Sequence, residues 1–598
     1  MKELLMGNEA IAVGAIAAGV QVVSGYPGTP STEVLETIAK RNPGNVHVEW
    51  SVNEKAGAEV AAGAAYAGAR SLVTMKQMGL NVASDPVMCV NYIGVKGGMV
   101  IYVADDPGPI SSQTEQDTRT FGAYAKIPVF DCDAPEQAFQ AVQDAFACSE
   151  EYETPVILRA TTRVCHGCAV VDVPELNAPK AADGFVKDSK WVIFPRLSYQ
   201  NKQKLMAREQ NLSELFSAYQ GNTIEGSGKI GIVCGGISHA YVMDAIEGHE
   251  AAFQVLKIAT PYPFPDKLAE KFLKTVEQVL VFEELDPYLE DRMIYHMGRN
   301  GSDPLRIKGK RTGTVPAAGE LSAVTVAEII ERETGVATSI PQNTTAEKPD
   351  MPVRPPVLCA GCPHRGAFYA VKQAAKGRKA VYHGDIGCYT LGNAAPLNMV
   401  DTCLCMGAGI TMAQGLSYAE PDTLNFAFVG DSTFFASGIT GTVNAVYNQA
   451  DMILVVLDNS TTAMTGHQPH PGMGITMMGK RTEPVDIAKV LEGIGVKSIR
   501  IADPLDYQAS VNAVKAAIAE NGVRALIFKS PCIAITKPKG QVTVDAAACI
   551  GCMYCINQLG CPAIITRDGR AFIDASLCTG CGLCTQICPK QCMKAEEV

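Results

Sequence analysis

Residues 424–459 set the architecture. "LNFAFVG" and "MILVVLDN" are short apolar runs with β-branched and aromatic residues, and "ASGITGTVNAVYNQ" between them suits a helix. Two buried strands joined by one helix-length of chain make a parallel βαβ crossover. Asp431 follows the first run and Asn459 ends the second. Both therefore emerge at the carboxyl ends of neighbouring strands, the edge at which such sheets bind ligands. Two hard oxygen ligands so placed suit Mg²⁺, which takes a few protein oxygens and completes its octahedron with phosphate and water. Read alone, the pair could also be a strand-terminal acid and an ordinary turn asparagine.

At 598 residues the chain is too long for one core. Residues 1–195 alternate apolar runs such as "SLVTM" and "GGMVIYVAD" with Ala-rich helical stretches, which predicts a first parallel-sheet domain. The polar stretch "SYQNKQKLMAREQNLSELF" leads to a smaller α/β domain over 228–340. Residues 341–355 are rich in Pro and Thr, cannot bury a core and read as a linker. A third α/β domain is expected over 356–537. The tail, 540–598, is Cys-dense and has too few apolar residues to fold without metal.

Lys and Arg number 51 against 62 Asp and Glu, a net charge of −11 with no basic block. Neither nucleic acid nor an anionic membrane is an expected partner. No stretch reaches the roughly 18 uncharged apolar residues of a membrane span. The apolar run at 10–23 is preceded by Glu3 and Glu9 and followed by "SGYPGTPSTE", so it reads as a buried helix entering a strand and not as a signal peptide. A soluble, cytoplasmic protein is expected.

Nine of the 21 cysteines follow residue 548. They include "CIGCMYCINQLGCP" and "CTGCGLCTQICP", two C-x-x-C-x-x-C runs each followed by Cys-Pro. Zinc sites favour two separated C-x-x-C pairs over this pattern. The tail resembles a dicluster ferredoxin domain, in which the fourth cysteine of each run ligates the other cluster. That resemblance assigns Cys549, Cys552, Cys555 and Cys588 to one 4Fe-4S cluster, and Cys578, Cys581, Cys584 and Cys561 to a second. The first run has five residues before its last cysteine where three are usual, a longer loop with no ligand lost.

Gly430, Asp431 and Ser432, with Asn459 downstream, resemble the diphosphate motif of thiamin-diphosphate enzymes. The resemblance implies that these four residues and the Thr461 carbonyl surround Mg²⁺ and diphosphate, with Asp431, Asn459 and Thr461 as metal ligands. "NEKAGAEVAAGAAYAGA" opens a helix after an apolar strand and resembles the Glu-x-Ala-Gly-Ala pattern of 2-oxoacid:ferredoxin oxidoreductases. Glu54 is thereby the candidate acid on the aminopyrimidine, with Glu59 as its alternate. "SGYPGTPSTE" resembles that family's Tyr-Pro-x-Thr-Pro-Ser segment and implies Thr29 beside the substrate carboxylate. "SSQTEQDTR" at 111–119 implies proximity to the substrate pocket.

Cys359, Cys362, Cys388 and Cys532 follow the order in which the same family holds a proximal 4Fe-4S cluster. A redox dithiol or buried thiols are the alternatives. "CPHRG", "GDIGCYTLG" and "DNSTTAMTGHQPHPG", with the fused tail, resemble the large subunit of the indolepyruvate-type members over nearly the whole chain. The implied fold is α/β: two thiamin-diphosphate-binding parallel-sheet domains, a transketolase C-terminal-like α/β domain, and a small dicluster ferredoxin domain. Thiamin lies between the first and third units in such enzymes. The implied activity is oxidative decarboxylation of aryl 2-oxoacids (indolepyruvate, phenylpyruvate, hydroxyphenylpyruvate) to aryl-acetyl-CoA, with electrons passed to ferredoxin.

A smaller β subunit is the implied partner, in an α2β2 hetero-oligomer, and low-potential clusters imply an anaerobic setting. A branched-chain 2-oxoacid or pyruvate as substrate, a non-oxidative thiamin-dependent decarboxylase, and an electron-transfer adaptor are the alternatives. Cys165 and Cys168 read as structural, and Cys403 and Cys405 as pocket-lining or packing residues.

Overall fold

A computed structural model of the chain describes all residues except 177, 180, 300, 302, 304, 305, 341–350, 353 and 598. Most of the linker expected at 341–355 therefore lies outside the described residues. The chain divides into two compact units, Met1–Pro349 and Asp350–Val598.

The first unit contains two large sheets and a small antiparallel pair, Lys2–Met6 with Cys168–Asp172. One is six-stranded and wholly parallel, in the order His47–Trp50, Val22–Gly25, Ser71–Lys76, Met99–Asp105, Val156–Thr161, Val129–Asp131. Its central strand Met99–Asp105 is buried along its whole length, as expected of a parallel sheet covered by helices on both faces. The apolar run at 10–23 forms most of the buried helix Gly7–Ala17 and then enters the Val22–Gly25 strand. The second sheet has the parallel order Ile307–Lys308, Gln278–Phe282, Ile230–Cys234, Phe253–Lys257, with Thr223–Gly226 antiparallel at its edge. That edge strand begins upstream of 228, because the polar stretch before it forms the helix Pro195–Phe216.

The two large sheets share one apolar core and a buried ionic seam. Arg119, 1% exposed, pairs with Asp117 at 2.6 Å and with Glu283, just past the Gln278–Phe282 strand, at 2.8 Å. Arg159 pairs with Asp105 at 2.6 Å and Asp131 at 2.8 Å. Each guanidinium is thus matched by two carboxylates, the condition under which charge is tolerated in an interior.

The second unit is built on a five-stranded parallel sheet in the order Ala380–His383, Leu424–Gly430, Met452–Asp458, Val523–Lys529, Ser498–Ala502. Leu424–Gly430 and Met452–Asp458 are neighbours, with Gly430 opposite Leu457. The tail adds two antiparallel pairs, Gly540–Val544 with Met593–Glu597 and Ile564–Arg567 with Arg570–Ile573, and the short helices Tyr554–Leu559 and Leu583–Ile587. Its core mixes Leu559, Ile564, Leu583 and Ile587 with buried cysteines. Among the described residues, no helix is long and apolar enough to cross a membrane.

Replacing Arg119 with Ala would leave Asp117 and Glu283 facing each other without a counter-charge. A loss of about 3–5 kcal/mol is expected, read as an earlier transition in thermal or denaturant unfolding. An unchanged transition would show that the seam does not contribute.

Candidate functional site: strand ends and cysteine sets

Asp431 directly follows the Leu424–Gly430 strand and is 3% exposed. A buried carboxylate needs donors, and the backbone supplies them. Ser432 N–H donates to Oδ1 at 2.8 Å, while Asn459 and Ser460 N–H donate to Oδ2 at 3.1 and 2.8 Å. His470 Nε2 lies 3.1 Å from the same oxygen. One carboxylate therefore joins the ends of two neighbouring strands.

The side-chain amide of Asn459 lies 3.2 Å from Asp431 Oδ2 and 2.8 Å from the Thr461 carbonyl, both acceptors. With Nδ2 turned toward them, the amide donates to both. With Oδ1 turned inward, it faces both oxygens instead. The edge of an Mg²⁺ octahedron with bonds of about 2.0–2.1 Å is about 2.9 Å, so these spacings suit one hard cation. In the inward arrangement Nδ2 reaches His364 Nε2 at 3.5 Å. Burial pushes His364 down to about 4, so its ring is neutral and, with the proton on Nδ1, able to accept. The Thr461 and Thr462 hydroxyls are buried nearby with no hydrogen-bond partner among the described residues. They are open to a further polar ligand.

Asp385 braces this edge from the next loop. Its carboxylate accepts from Gly407 N–H at 2.8 Å, Tyr389 Oη–H at 2.9 Å and Gly430 N–H at 3.3 Å. Tyr389 is packed so closely that a Cβ on Gly430 would lie 2.3 Å from its Oη.

Cys359, Cys362, Cys388 and Cys532 come together beside these strand ends. Burial and neighbouring thiols raise Cys362 to about 12; Cys388 is also raised, with Cys532 and Cys359 close to it. Cys532 in turn feels Cys359 and Asp431. Its backbone N–H donates to the Asn459 carbonyl at 2.9 Å. Among the described residues no three His, Cys, Asp or Glu side chains converge on a single-ion site. A cubane spreads its four thiolates wider than one zinc ion would.

In the tail, Cys549, Cys552, Cys555 and Cys588 line one cavity. Cys561, Cys578, Cys581 and Cys584 form a second neighbourhood, in which burial and the adjoining thiols raise Cys581 and Cys584. The second neighbourhood adjoins the strand-edge cysteines. Gly361, at φ 75° between Cys359 and Cys362, abuts Thr579 between Cys578 and Cys581 so tightly that no Cβ fits. The buried Arg365 donates to the Leu559 and Gly560 carbonyls at 2.6 and 2.9 Å, and to the Leu358 carbonyl at 2.6 Å.

In the first unit Glu54 opens the helix Glu54–Tyr66, whose N-cap Asn53 accepts from Ala56 N–H at 2.8 Å. Burial raises the Glu54 carboxyl, opposed by its backbone hydrogen bond and by Lys76. Thr29 is half-buried, and its carbonyl accepts from Ser111 Oγ at 3.2 Å, so the start of the 111–119 segment lies beside it. The end of that segment, Asp117 and Arg119, belongs to the ionic seam. Glu59 is exposed and pairs with Lys55. Cys165 is buried 3.2 Å from Tyr102 Oη while Cys168 is exposed, and Cys403 and Cys405 are exposed.

Three family models match: a thiamine pyrophosphate enzyme C-terminal TPP-binding domain over residues 385–528, a pyruvate flavodoxin/ferredoxin oxidoreductase thiamine-diphosphate-binding domain over 13–203, and a 4Fe-4S binding domain over 571–594. The indolepyruvate oxidoreductase subunit IorA of Methanothermobacter thermautotrophicus is 40% identical over 612 residues, covering 100% of this chain and 97% of that one. Its counterpart in Archaeoglobus fulgidus is 37% identical, covering 99% and 97%, and that of Pyrococcus horikoshii 38%, covering 94% and 91%. The chain belongs to the indolepyruvate oxidoreductase subunit IorA family. It is an oxidoreductase subunit of the 2-oxoacid:ferredoxin class, with thiamin-diphosphate-binding and 4Fe-4S-binding domains.

Sequence reasoning missed four residues that the fold of this IorA-family chain brings to these sites: His364, Asp385, His470 and Cys592. His364 sits inside "CPHRG" and Asp385 inside "GDIGC", so both lie within motifs that draw the eye for their cysteines. His470 likewise lies inside "DNSTTAMTGHQPHPG", while for Cys592 the spacing gave no signal.

Gly430→Ala should push Tyr389 off Asp385 and disturb the strand edge. About tenfold or more weaker thiamin diphosphate binding is expected, measured by titration calorimetry. Unchanged affinity would separate this edge from the cofactor.

Proposed function

We propose that the protein is the large subunit of an enzyme that oxidatively decarboxylates indolepyruvate, and with it other aryl 2-oxoacids, to aryl-acetyl-CoA. Carbon dioxide, a proton and an electron pair leave for each acyl-CoA formed, and ferredoxin takes the electrons. The observation that carries this reading is the double role of Asn459. Its side chain belongs to the oxygen group at the strand edge, and its carbonyl accepts from Cys532. A diphosphate-type edge and a thiol set are thereby one residue apart.

The proposed Mg²⁺ ligands are Asp431, the Asn459 side chain and the Thr461 carbonyl, with Gly430 and Ser432 beside the diphosphate. Bound thiamin diphosphate supplies the nucleophilic carbon and the electron sink for loss of the carboxylate. His364 holds the Asn459 amide so that its oxygen faces the cation. Glu54, whose carboxyl burial raises, is the proposed group that holds a proton at the aminopyrimidine nitrogen. Thr29 is proposed to contact the substrate carboxylate.

Cys359, Cys362, Cys388 and Cys532 are proposed to hold the cluster nearest the carbon chemistry. The contact between Gly361 and Thr579 supports the set with Cys561, Cys578, Cys581 and Cys584 as the next along. The set with Cys549, Cys552, Cys555 and Cys588 comes last; Cys552 is exposed, which suits delivery to an external ferredoxin. The relatives are named as subunits, which supports a second, smaller chain in the working enzyme.

The test is an anaerobic assay of the chain co-expressed with its small subunit, using a panel of 2-oxoacids, CoA and a viologen dye. CoA-dependent dye reduction with indolepyruvate, lost in Asp431→Ala together with bound thiamin, is the expected result. Activity confined to pyruvate or 2-oxoglutarate would overturn the aryl assignment.

A further inference from the structure

Eight of the nine tail cysteines fall into the two ferredoxin sets, and Cys592 is left over. It is not an idle surface thiol. Cys592 is 4% exposed and lines the same cavity as Cys549, Cys552, Cys555 and Cys588. Its Sγ lies 3.4 Å from that of Cys588 and within hydrogen-bonding reach of Cys549. The backbone fixes this approach. Gln591, at φ 51°, donates its N–H to the Cys588 carbonyl at 3.0 Å, which folds the next residue back onto Cys588. Asp545 N–H then donates to the Cys592 carbonyl at 2.8 Å.

Two sulfurs in contact cannot serve two corners of a cubane, because each iron directs its thiolate outward, away from the other three. Cys588 and Cys592 therefore compete for one corner. We propose that Cys592 is an alternative ligand of the 4Fe-4S cluster held by Cys549, Cys552 and Cys555, able to occupy the corner assigned to Cys588. The inference rests on reading that set as a cluster site. The exchange is one thiolate for another: the Cys592 sulfur binds iron as its proton passes to the departing Cys588, and no electron moves. The cluster nearest the exit thus carries its own replacement ligand.

The test uses the full chain with its small subunit, reconstituted anaerobically, with iron and sulfide content and the electron paramagnetic resonance of the reduced protein as readouts. Cys588→Ala and Cys592→Ala should each keep near-wild-type iron, and Cys588→Ala should show an altered signal from one cluster. The double variant, and Cys552→Ala, which has no spare thiol, should each lose about four irons per chain. Retention of the other cluster signals and of far-ultraviolet circular dichroism verifies folding. If Cys588→Ala alone loses as much iron as the double variant, the proposal is overturned. If Cys552→Ala loses none, the cluster reading beneath it falls first.

Discussion

The carboxylate of Asp431 is the constraint on which the second unit depends. Removed from water, it must be met by donors, and it takes them from the backbone at Ser432, Asn459 and Ser460. Ser460 adopts a left-handed φ of 59° as the chain leaves the strand. That turn brings the Asn459 amide within 3.2 Å of the same carboxylate oxygen and 2.8 Å of the Thr461 carbonyl. Asp385 repeats the solution beside it, tying Gly407, Tyr389 and Gly430 together. Two buried acids thus fix a strand edge that no packing of apolar side chains would hold in this shape.

The same edge fixes the cysteines. Cys532 is anchored to the Asn459 carbonyl, Cys388 sits at the start of the short Cys388–Asn393 helical turn, and Cys362 precedes the helix Pro363–Ala374. Arg365, in the first turn of that helix, spends its guanidinium on carbonyls of the Cys359 loop and of the tail. A cation with several donors in a fixed fork suits this clamp better than a lysine would. The buried arginine thereby ties the tail to the Cys359 loop.

Much of this was legible in the sequence, and the reasons are local. The βαβ crossover is carried by contiguous apolar runs, so the residue pattern alone places Asp431 and Asn459 at neighbouring strand ends. The cysteine runs announce themselves by spacing. What stayed hidden depends on distant partners. Arg119 reads as one residue of a pocket segment, yet its charge is spent on Glu283, more than a hundred and sixty residues away. His470 reaches Asp431 through a loop whose path spacing does not encode. Cys592 lacks the C-x-x-C signature and meets Cys588 only because Gln591 turns the chain back.

The central claim is that carbon–carbon cleavage at the Asp431 edge is wired to the iron–sulfur sets of the same polypeptide. It is tested most directly by freeze-quenched electron paramagnetic resonance of the anaerobic two-subunit enzyme mixed with indolepyruvate. The account predicts a reduced-cluster signal in the wild type that is absent in Asp431→Ala, although dithionite still reduces the clusters of that variant. A substrate-induced signal of equal size in the variant, or none in thiamin-loaded wild type, would contradict it.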